Sequence, residues 1–203
     1  MGNTVVNGFE RKMKQKRESI LRAALELFKL YGFKKVSIND IARKADVSQV
    51  TIYNHFGSKD GLVREVVKTQ LMGILERARE IMKEDRPFPE KLETIVFDKT
   101  EIASQYHGEL MQTAAQNDPE MQQWIDSWWQ SDVNQMTADL LEEGKRQGYI
   151  NKQQSKEILM LFLEILRRGV FASPDLMANL EPDVELYRKL NHLFIYGLVG
   201  KRD

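Results

Sequence analysis

The sequence predicts an all-α protein of about nine helices, and three observations carry this prediction. Apolar residues recur at helical spacing along most of the 203-residue chain, as in the stripe Ile20, Ala24, Leu27 and Tyr31. Capping residues and glycines stand where such stripes begin and end. No segment of the sequence has the convincing polar–apolar alternation that would indicate a strand.

The composition is that of an ordinary globular protein, with 42% hydrophobic and 30% charged residues. Because the chain has no cysteine, disulfides and thiolate metal sites are excluded, which suits a reducing compartment. No apolar run approaches the roughly 20 residues of a membrane span, and the first residues lack the apolar segment of a signal peptide. We therefore expect a cytoplasmic protein that does not contact a membrane.

Charge is divided unevenly along the chain, although the net charge is zero. Residues 1–60 hold 12 basic and 6 acidic side chains, a net charge of +6, and the remainder holds 18 and 24, a net charge of −6. A basic part that meets a polyanion would produce this division, and so would an ordinary solvated surface with a basic tail. Charge alone leaves both interpretations open.

The sequence of the N-terminal part predicts a flexible arm followed by a small helical domain. Residues 1–14 show no helical period, so we expect a flexible basic arm there. From about Gln15 the pattern becomes helical, and it ends at Gly32, a residue suited to a left-handed C-cap. This helix opens a small domain over residues 15–62, and residues 63–203 form a larger helical body.

Two short helices follow, and a tight turn separates them. Ser37 caps the first of them, and Ser48 caps the second, whose inner face carries Ile52 and Phe56. Asp46 stands in the turn, where we expect a left-handed backbone that aspartate tolerates better than most residues.

The larger body is predicted to be wholly helical, with prolines and glycines at the breaks. Asp118 and Pro119 are a strong N-cap and first position for one of its helices. The predicted helices are Ser58 to about Glu84, 90–106, 108–116, Asp118 to about Gly144, 153–172, and Pro182 to about Gly200.

Short sequence motifs follow one another in a fixed order along the first predicted helices. Ala23-Ala24 and Leu27-Phe28 are followed by "SINDIA", "ADVS", "TIYNHF" and "SKDGL". In order and spacing these motifs resemble the DNA-binding domain of the TetR family of transcriptional regulators. The resemblance implies a helix-turn-helix motif at about 37–56, within a DNA-binding domain at 15–62, and an effector-binding and dimerisation domain at 63–203. It further implies a repressor that binds a pseudo-palindromic DNA operator as a homodimer and is released by a small apolar or aromatic effector.

The third helix and its surroundings supply the candidate DNA-binding residues. The resemblance implies base reading by Gln49 and Val50, backbone contacts by Thr51 and Tyr53, and phosphate binding by Lys59. Val50 stands where the family often has a smaller residue, and its methyl groups could touch a thymine methyl or limit the approach of the helix. The complete set is Ser37, Ser48, Gln49, Val50, Thr51, Tyr53, Asn54, His55 and Lys59.

Several of these residues have a second interpretation that the sequence leaves open. Tyr53 and His55 are as well explained by partial burial in the small domain as by contact with DNA. Ser37 and Ser48 are helix caps first, although their hydroxyl groups can also reach phosphate. Asn54 occupies a variable position that could meet a base or a phosphate.

A second set of candidates lies at the predicted dimer interface. The stretch 158–171 is apolar nearly all round, so it must be covered on more than one side. The resemblance implies that the last two helices pair with those of a second copy, and the alternative is a thicker monomeric core. The candidate interface residues are Leu159, Phe162, Leu163, Leu166, Leu190, Phe194 and Leu198.

A third set of candidates could line an effector pocket. Trp124 and Trp128 share one face of the helix after Asp118, and Met136 lies on a neighbouring stripe, so the helix has two apolar surfaces. Aromatic and methionine side chains form adaptable pockets, but a stripe of them is more often plain core. The candidate pocket residues are Phe97, Tyr106, Met111, Trp124, Trp128 and Met136.

An enzyme and a protein-interaction module are the rival interpretations. The three histidines, His55, His107 and His192, are isolated, and no catalytic or nucleotide-binding motif is present. We therefore expect no catalysis and no metal or other cofactor. A helical module that binds protein through its small domain would bind DNA weakly and without sequence preference.

Overall fold

The computed structural model describes residues 3–95 and 118–172 together with Leu193, and all regular structure in these residues is helical, which confirms the all-α prediction. A π-helical segment, Trp129–Val133, joins the two α-helices on either side of it. The predicted helices at 108–116 and after Pro182 lie outside the described residues. The helices are α1 Asn3–Tyr31, α2 Ile38–Ala45, α3 Gln49–Phe56, α4 Lys59–Lys83, α5 88–95, α6 Pro119–Trp128, α7 Asn134–Arg146 and α8 Lys156–Ala172.

Two compact units divide the chain. Among the described residues, the first unit comprises 3–72 with 118–121, and the second comprises 73–95 with 122–172. Helix α4 begins in the first unit and ends in the second. The domain boundaries expected from the sequence, after residues 14 and 62, stay predictions.

Helix α1 is longer than the sequence indicated, since it begins at Asn3 rather than near Gln15. The predicted start was therefore wrong by about three turns. Side chains from Phe9 to Lys16 are all exposed. Because no face of this part is buried, its apolar residues do not recur at helical spacing, although Glu, Arg, Lys, Met and Gln are good helix formers.

The first unit has its core where α1 to α4 meet. Side chains with at most 1% exposure come from each of the four helices, and they include Ile20 and Ala24 of α1. The others at this level of burial are Ile41 of α2, Ile52 of α3, and Leu62 and Val66 of α4. This core holds α2 and α3 in place from the inside and leaves their outer sides to solvent.

Helix α6 begins where the sequence predicts. The Asp118 carboxylate accepts hydrogen bonds from the backbone N–H groups of Glu120 and Met121, each at 3.1 Å, and Pro119 is the first helical residue. The same carboxylate pairs with Arg64 of α4 at 2.8 Å. Its hydrogen bonds to these backbone groups and to Arg64 outweigh its desolvation and lower the pKa of Asp118.

The second unit has a separate core built from α4, α5, α7 and α8. Gly144 of α7 lies beneath two side chains of this core, because a Cβ placed there would come within 2.8 Å of Phe88 and 2.7 Å of Ile150. The buried members are Leu75, Ala78, Ile81, Phe88, Ile95, Met136, Leu140, Leu141, Ile150 and Leu159.

A buried ion pair joins α5 to α7 in the second unit. Lys91 is only 4% exposed, and its ammonium donates to the Met82 carbonyl at 2.9 Å and to the Glu143 carboxylate at 3.2 Å. Glu143 also accepts from Arg146 and from Gln147. Every charge that α5 and α7 bury at this point is therefore paired, as burial in a low dielectric requires.

None of the helices in the part of the chain that the structure describes is both long and apolar enough to cross a membrane.

Candidate DNA-binding face

A capping box begins α2. The Ser37 hydroxyl accepts a hydrogen bond from the Asp40 backbone N–H at 3.2 Å, and the Asp40 carboxylate accepts from the Ser37 backbone N–H at 3.0 Å. Hydrogen bonds from Ser37 and from Arg43 lower the pKa of Asp40. The predicted role of Ser37 as a cap is confirmed, and its side chain stays exposed.

The turn between α2 and α3 has the left-handed backbone that the sequence predicts at Asp46. Its φ and ψ are 54° and 51°. The next residue, Val47, donates from its backbone N–H to the Ala42 carbonyl at 3.0 Å and so closes the end of α2. The two helices of the motif therefore meet through a short, defined turn.

A cap fixes the start of α3, and two core residues anchor its inner face. The Ser48 hydroxyl accepts from the Thr51 backbone N–H at 3.1 Å and lies 2.9 Å from the Thr51 hydroxyl. Ile52 is fully buried and Phe56 is 9% exposed. The predicted cap and the predicted anchors are confirmed.

The outer side of α3 presents four exposed side chains at positions i, i+1, i+4 and i+5. They are Gln49, Val50, Tyr53 and Asn54, which we call the reading face. Val50 is 65% exposed and Tyr53 is 47% exposed. At 100° per residue, Val50 and Asn54 lie opposite the two buried anchors, while Tyr53 and then Gln49 lie closer to them. Of the two interpretations of Tyr53, the structure favours exposure.

One hydrogen bond joins the reading face to α2, and a second joins the start of α4 to the segment before α2. The Gln49 side-chain amide donates to the Asn39 side chain of α2 at 3.1 Å. The Lys59 ammonium of α4 donates to the Lys34 carbonyl, three residues before Ser37, at 3.4 Å. The caps of α2 and α3 and the first residue of α4 thus belong to one region of the first unit. Asn39 was not among the residues predicted from the sequence, because no motif or helical period distinguishes it.

His55 and Thr51 are only half exposed, on the flank of α3. The Nε2 atom of His55 is buried and has no hydrogen-bond partner among the described residues, and the ring lies 5.9 Å from that of Phe56. Packing is therefore the better supported of the two interpretations of His55. The Thr51 hydroxyl is engaged by Ser48.

Residues 20–66, which contain this motif, match the family described as "Bacterial regulatory proteins, tetR family". This part of the chain is a tetR-family DNA-binding domain. Two relatives from Bacillus subtilis (strain 168) extend the likeness beyond the motif. The uncharacterized HTH-type transcriptional regulator YvdT is 25% identical over 91% of this chain and 95% of its own length. The fatty acid metabolism regulator protein is 27% identical over 69% of this chain and 75% of its own length.

Solved structures share the fold of this chain. The transcriptional regulator FadR from Bacillus subtilis, in complex with stearoyl-CoA, has a TM-score of 0.64 at 20% identity and covers 89% of this chain and 98% of that one. FadR of Thermus thermophilus, in complex with lauroyl-CoA, has a TM-score of 0.59 at 24% identity and covers 92% and 97%. The chain is a DNA-binding transcriptional regulator and not an enzyme.

The candidate pocket residues of this regulator divide between core and surface. Met136 is 6% exposed inside the core of the second unit, which favours the core alternative, and its assignment to a pocket stays a prediction. Trp124 and Trp128 are half-buried and stack with their ring centroids 5.6 Å apart and their planes at 9°. The π-helical segment after Trp128 was not predicted. Phe97, Tyr106 and Met111 lie outside the described residues.

The sequence identified the outer face of α8 only in part. Leu159 is 7% exposed in the core of its own unit and Leu163 packs half-buried against that core, and their assignment to the dimer interface stays a prediction. The exposed apolar residues of α8 are Ile158, Leu161, Phe162 and Ile165, at 43% to 60%. A stripe that is apolar all round does not show which side faces inward, so only Phe162 was predicted. The side chains of Leu166, Leu190, Phe194 and Leu198 lie outside the described residues.

Proposed function

We propose that the chain is a ligand-responsive repressor that works in the cytoplasm. A homodimer binds a pseudo-palindromic operator with one α3 in the major groove of each half-site, and a small apolar effector releases it. The observation that carries this proposal is the reading face of α3, a set of exposed side chains on a helix that is capped and anchored from below.

The chemistry of the reading face suits base edges. The carboxamides of Gln49 and Asn54 can each donate to and accept from adenine, and the methyl groups of Val50 can contact thymine. Lys59 and the Ser37 hydroxyl, at the border of this region, suit phosphate oxygens, which fix position without reading sequence. This division of roles supports a sequence-specific interface.

Replacing Asn54 with alanine should weaken binding to an operator selected from genomic DNA by about 1–3 kcal/mol, or about 5- to 150-fold, because a base contact is lost. Fluorescence anisotropy with wild-type and base-substituted operators measures the loss. Gln153→Ala, which removes the same group from an exposed site in the second unit, should leave affinity unchanged. A selection that enriches no palindrome would contradict the proposed function and favour a protein-interaction module.

The exposed face of α8 supports dimerisation. Ile158, Leu161, Phe162 and Ile165 form an apolar surface at i, i+3, i+4 and i+7 of one helix, and monomeric proteins seldom leave such a surface to water. A second copy would cover it through a two-fold axis, and two recognition helices would then meet two half-sites related by the same symmetry.

The effector of this regulator is proposed to carry an apolar group, and acyl-CoA, with its apolar acyl chain, is the first class to test. Two proteins of the same fold are described in complex with stearoyl-CoA and lauroyl-CoA. In this chain the stacked Trp124 and Trp128 side chains supply half-buried aromatic surface in the second unit. Helix α4, which runs from one unit into the other, is the element through which an effector could act on the DNA-binding unit.

Lauroyl-CoA or stearoyl-CoA should raise the dissociation constant of the operator complex by at least about 5-fold, since an effector that releases DNA must bind the DNA-free state more tightly. The operator should weaken acyl-CoA binding by the same factor. Calorimetric titrations with and without operator DNA measure both effects, with coenzyme A alone as the control. Tight acyl-CoA binding that leaves operator affinity unchanged would contradict release by this class of ligand.

A further inference from the structure

The first turns of α1 carry an unusual concentration of cations. Arg11, Lys12, Lys14 and Lys16 lie within six residues and are all exposed. Among the residues that the structure describes, none of the four side chains has an ion-pair or hydrogen-bond partner. Four positive charges therefore stand in solvent without local neutralisation.

Some other cations of the first unit form ion pairs. Several bind a carboxylate on another turn or another helix, at distances of 2.7–2.8 Å for three of them. These pairs are Arg17–Glu65, Arg43–Asp40, Lys44–Glu26 and Arg64–Asp118. At the start of α1, by contrast, four neighbouring cations have no such carboxylate partner in the described part of the chain.

This segment is close in sequence to the part of α1 that touches the helix-turn-helix motif. The Arg17 guanidinium lies over the ring of Phe56, the last residue of α3, at 5.4 Å from its centroid. The Ser19 hydroxyl donates to the carbonyl of Ala45, the last residue of α2, at 3.4 Å. With a rise of 1.5 Å per residue, Arg11 lies only about 9 Å further along the helix axis than Arg17.

The four cations are spread around the helix rather than gathered on one side. At 100° per residue, Lys14 and Arg11 point to one side, while Lys12 and Lys16 point away from them. A protein partner that docks on one face would match a one-sided arrangement. A groove of duplex DNA admits an α-helix and has phosphates along both walls, so cations on two sides of one helix favour a nucleic acid.

We infer that Arg11, Lys12, Lys14 and Lys16 form a second DNA-contacting element, which binds phosphates of the operator duplex outside the base pairs that α3 reads. The inference rests on the proposed function, because it requires the first unit to bind DNA. Contacts of this kind add affinity without sequence preference and lengthen the footprint of each half-site.

The test compares the double variant Lys12→Gln/Lys14→Gln with the wild type on the selected operator, with either about 2 or about 10 base pairs of flanking duplex. Each lost phosphate contact lowers the slope of log affinity against log salt by about 0.9, so the variant should lose about 1.8. The ratio of wild-type affinities at 50 and 200 mM salt should then exceed that of the variant by about 12-fold. With short flanks the two proteins should bind alike.

Two controls accompany the comparison. Lys12→Arg/Lys14→Arg keeps the charge and should restore the slope, whereas Lys152→Gln/Lys156→Gln, at exposed sites of the second unit, should match the wild type. Equal slopes for the wild type and Lys12→Gln/Lys14→Gln would overturn the inference while leaving the proposed function intact. So would a variant that loses binding to phosphatidylglycerol vesicles and keeps its flank dependence. A wild type that binds no duplex would overturn both.

Discussion

Replacing Gly61 with alanine is expected to destabilise the DNA-binding unit by about 1–3 kcal/mol or more. A Cβ at this position of α4 would lie 2.1 Å from the backbone oxygen of Phe56 and 3.3 Å from its carbonyl carbon. Because the obstacle is backbone at the end of α3, no side chain can rotate away. The turn from α3 to α4 would have to move, together with the 2.9 Å hydrogen bond from the Gly61 N–H to the Ser58 hydroxyl.

The same substitution at Gly73 provides the control on the same helix. No atom lies within 4 Å of the Cβ position there, so Gly73→Ala should stabilise α4 by about 0.5–1 kcal/mol through helix propensity alone. Urea unfolding followed by circular dichroism measures both variants, and operator affinity of Gly61→Ala reports on the displaced α3. Equal stability changes for the two variants would show that the approach of Phe56 to Gly61 imposes no constraint.

Removing the Glu143 carboxylate should be comparably damaging to the second unit. In Glu143→Ala, the buried Lys91 ammonium keeps only the Met82 carbonyl, and breaking a buried ion pair on one side costs about 3–5 kcal/mol. Glu142 is the matched control, since its exposed side chain pairs with Lys145 at 3.5 Å, and Glu142→Ala should change stability by less than about 1 kcal/mol. Denaturant unfolding at pH 7 distinguishes the two.

The pH dependence of stability gives an independent check on Glu143. Hydrogen bonds from Arg146, and then from Gln147 and Lys91, lower the pKa of Glu143 from 4.5 to about 2, against the opposing effect of desolvation. A lowered pKa in the folded state stabilises the protein above pH 4.5, and this contribution is lost as the pH falls from 4.5 towards 2. Over this interval the wild type should lose more stability than Glu143→Ala. Parallel curves would contradict the assignment.

The features that the sequence predicted correctly are those with a local chemical cause. Ser37, Ser48 and Asp118 are caps because their short polar side chains can reach the backbone N–H groups of the next turn. Asp46 adopts the left-handed turn for a similarly local reason. The inward direction of Ile52 followed from helical spacing alone, and with it the outward direction of the reading face.

The features that the sequence did not predict depend on which surfaces are covered. Helical periodicity reports burial, so it was silent on the exposed start of α1. Along α8, apolar residues on every side gave no indication that Leu159 faces the core of its own unit while Ile158 and Leu161 face outward. The hydrogen bond from Gln49 to Asn39 joins residues ten apart on two helices, and no local pattern encodes it.

The π-helical segment at Trp129–Val133 has a consequence for comparing this chain with its relatives. Hydrogen bonds in a π-helix span five residues instead of four, so such a turn takes up one residue more than an α-helical turn. That extra residue rotates α7 by about 100° relative to α6. Trp128 and Met136, eight positions apart, can therefore pack into the same core instead of lying on separate stripes. In a homologue with a continuous α-helix, a correct alignment would place a single-residue gap within this segment.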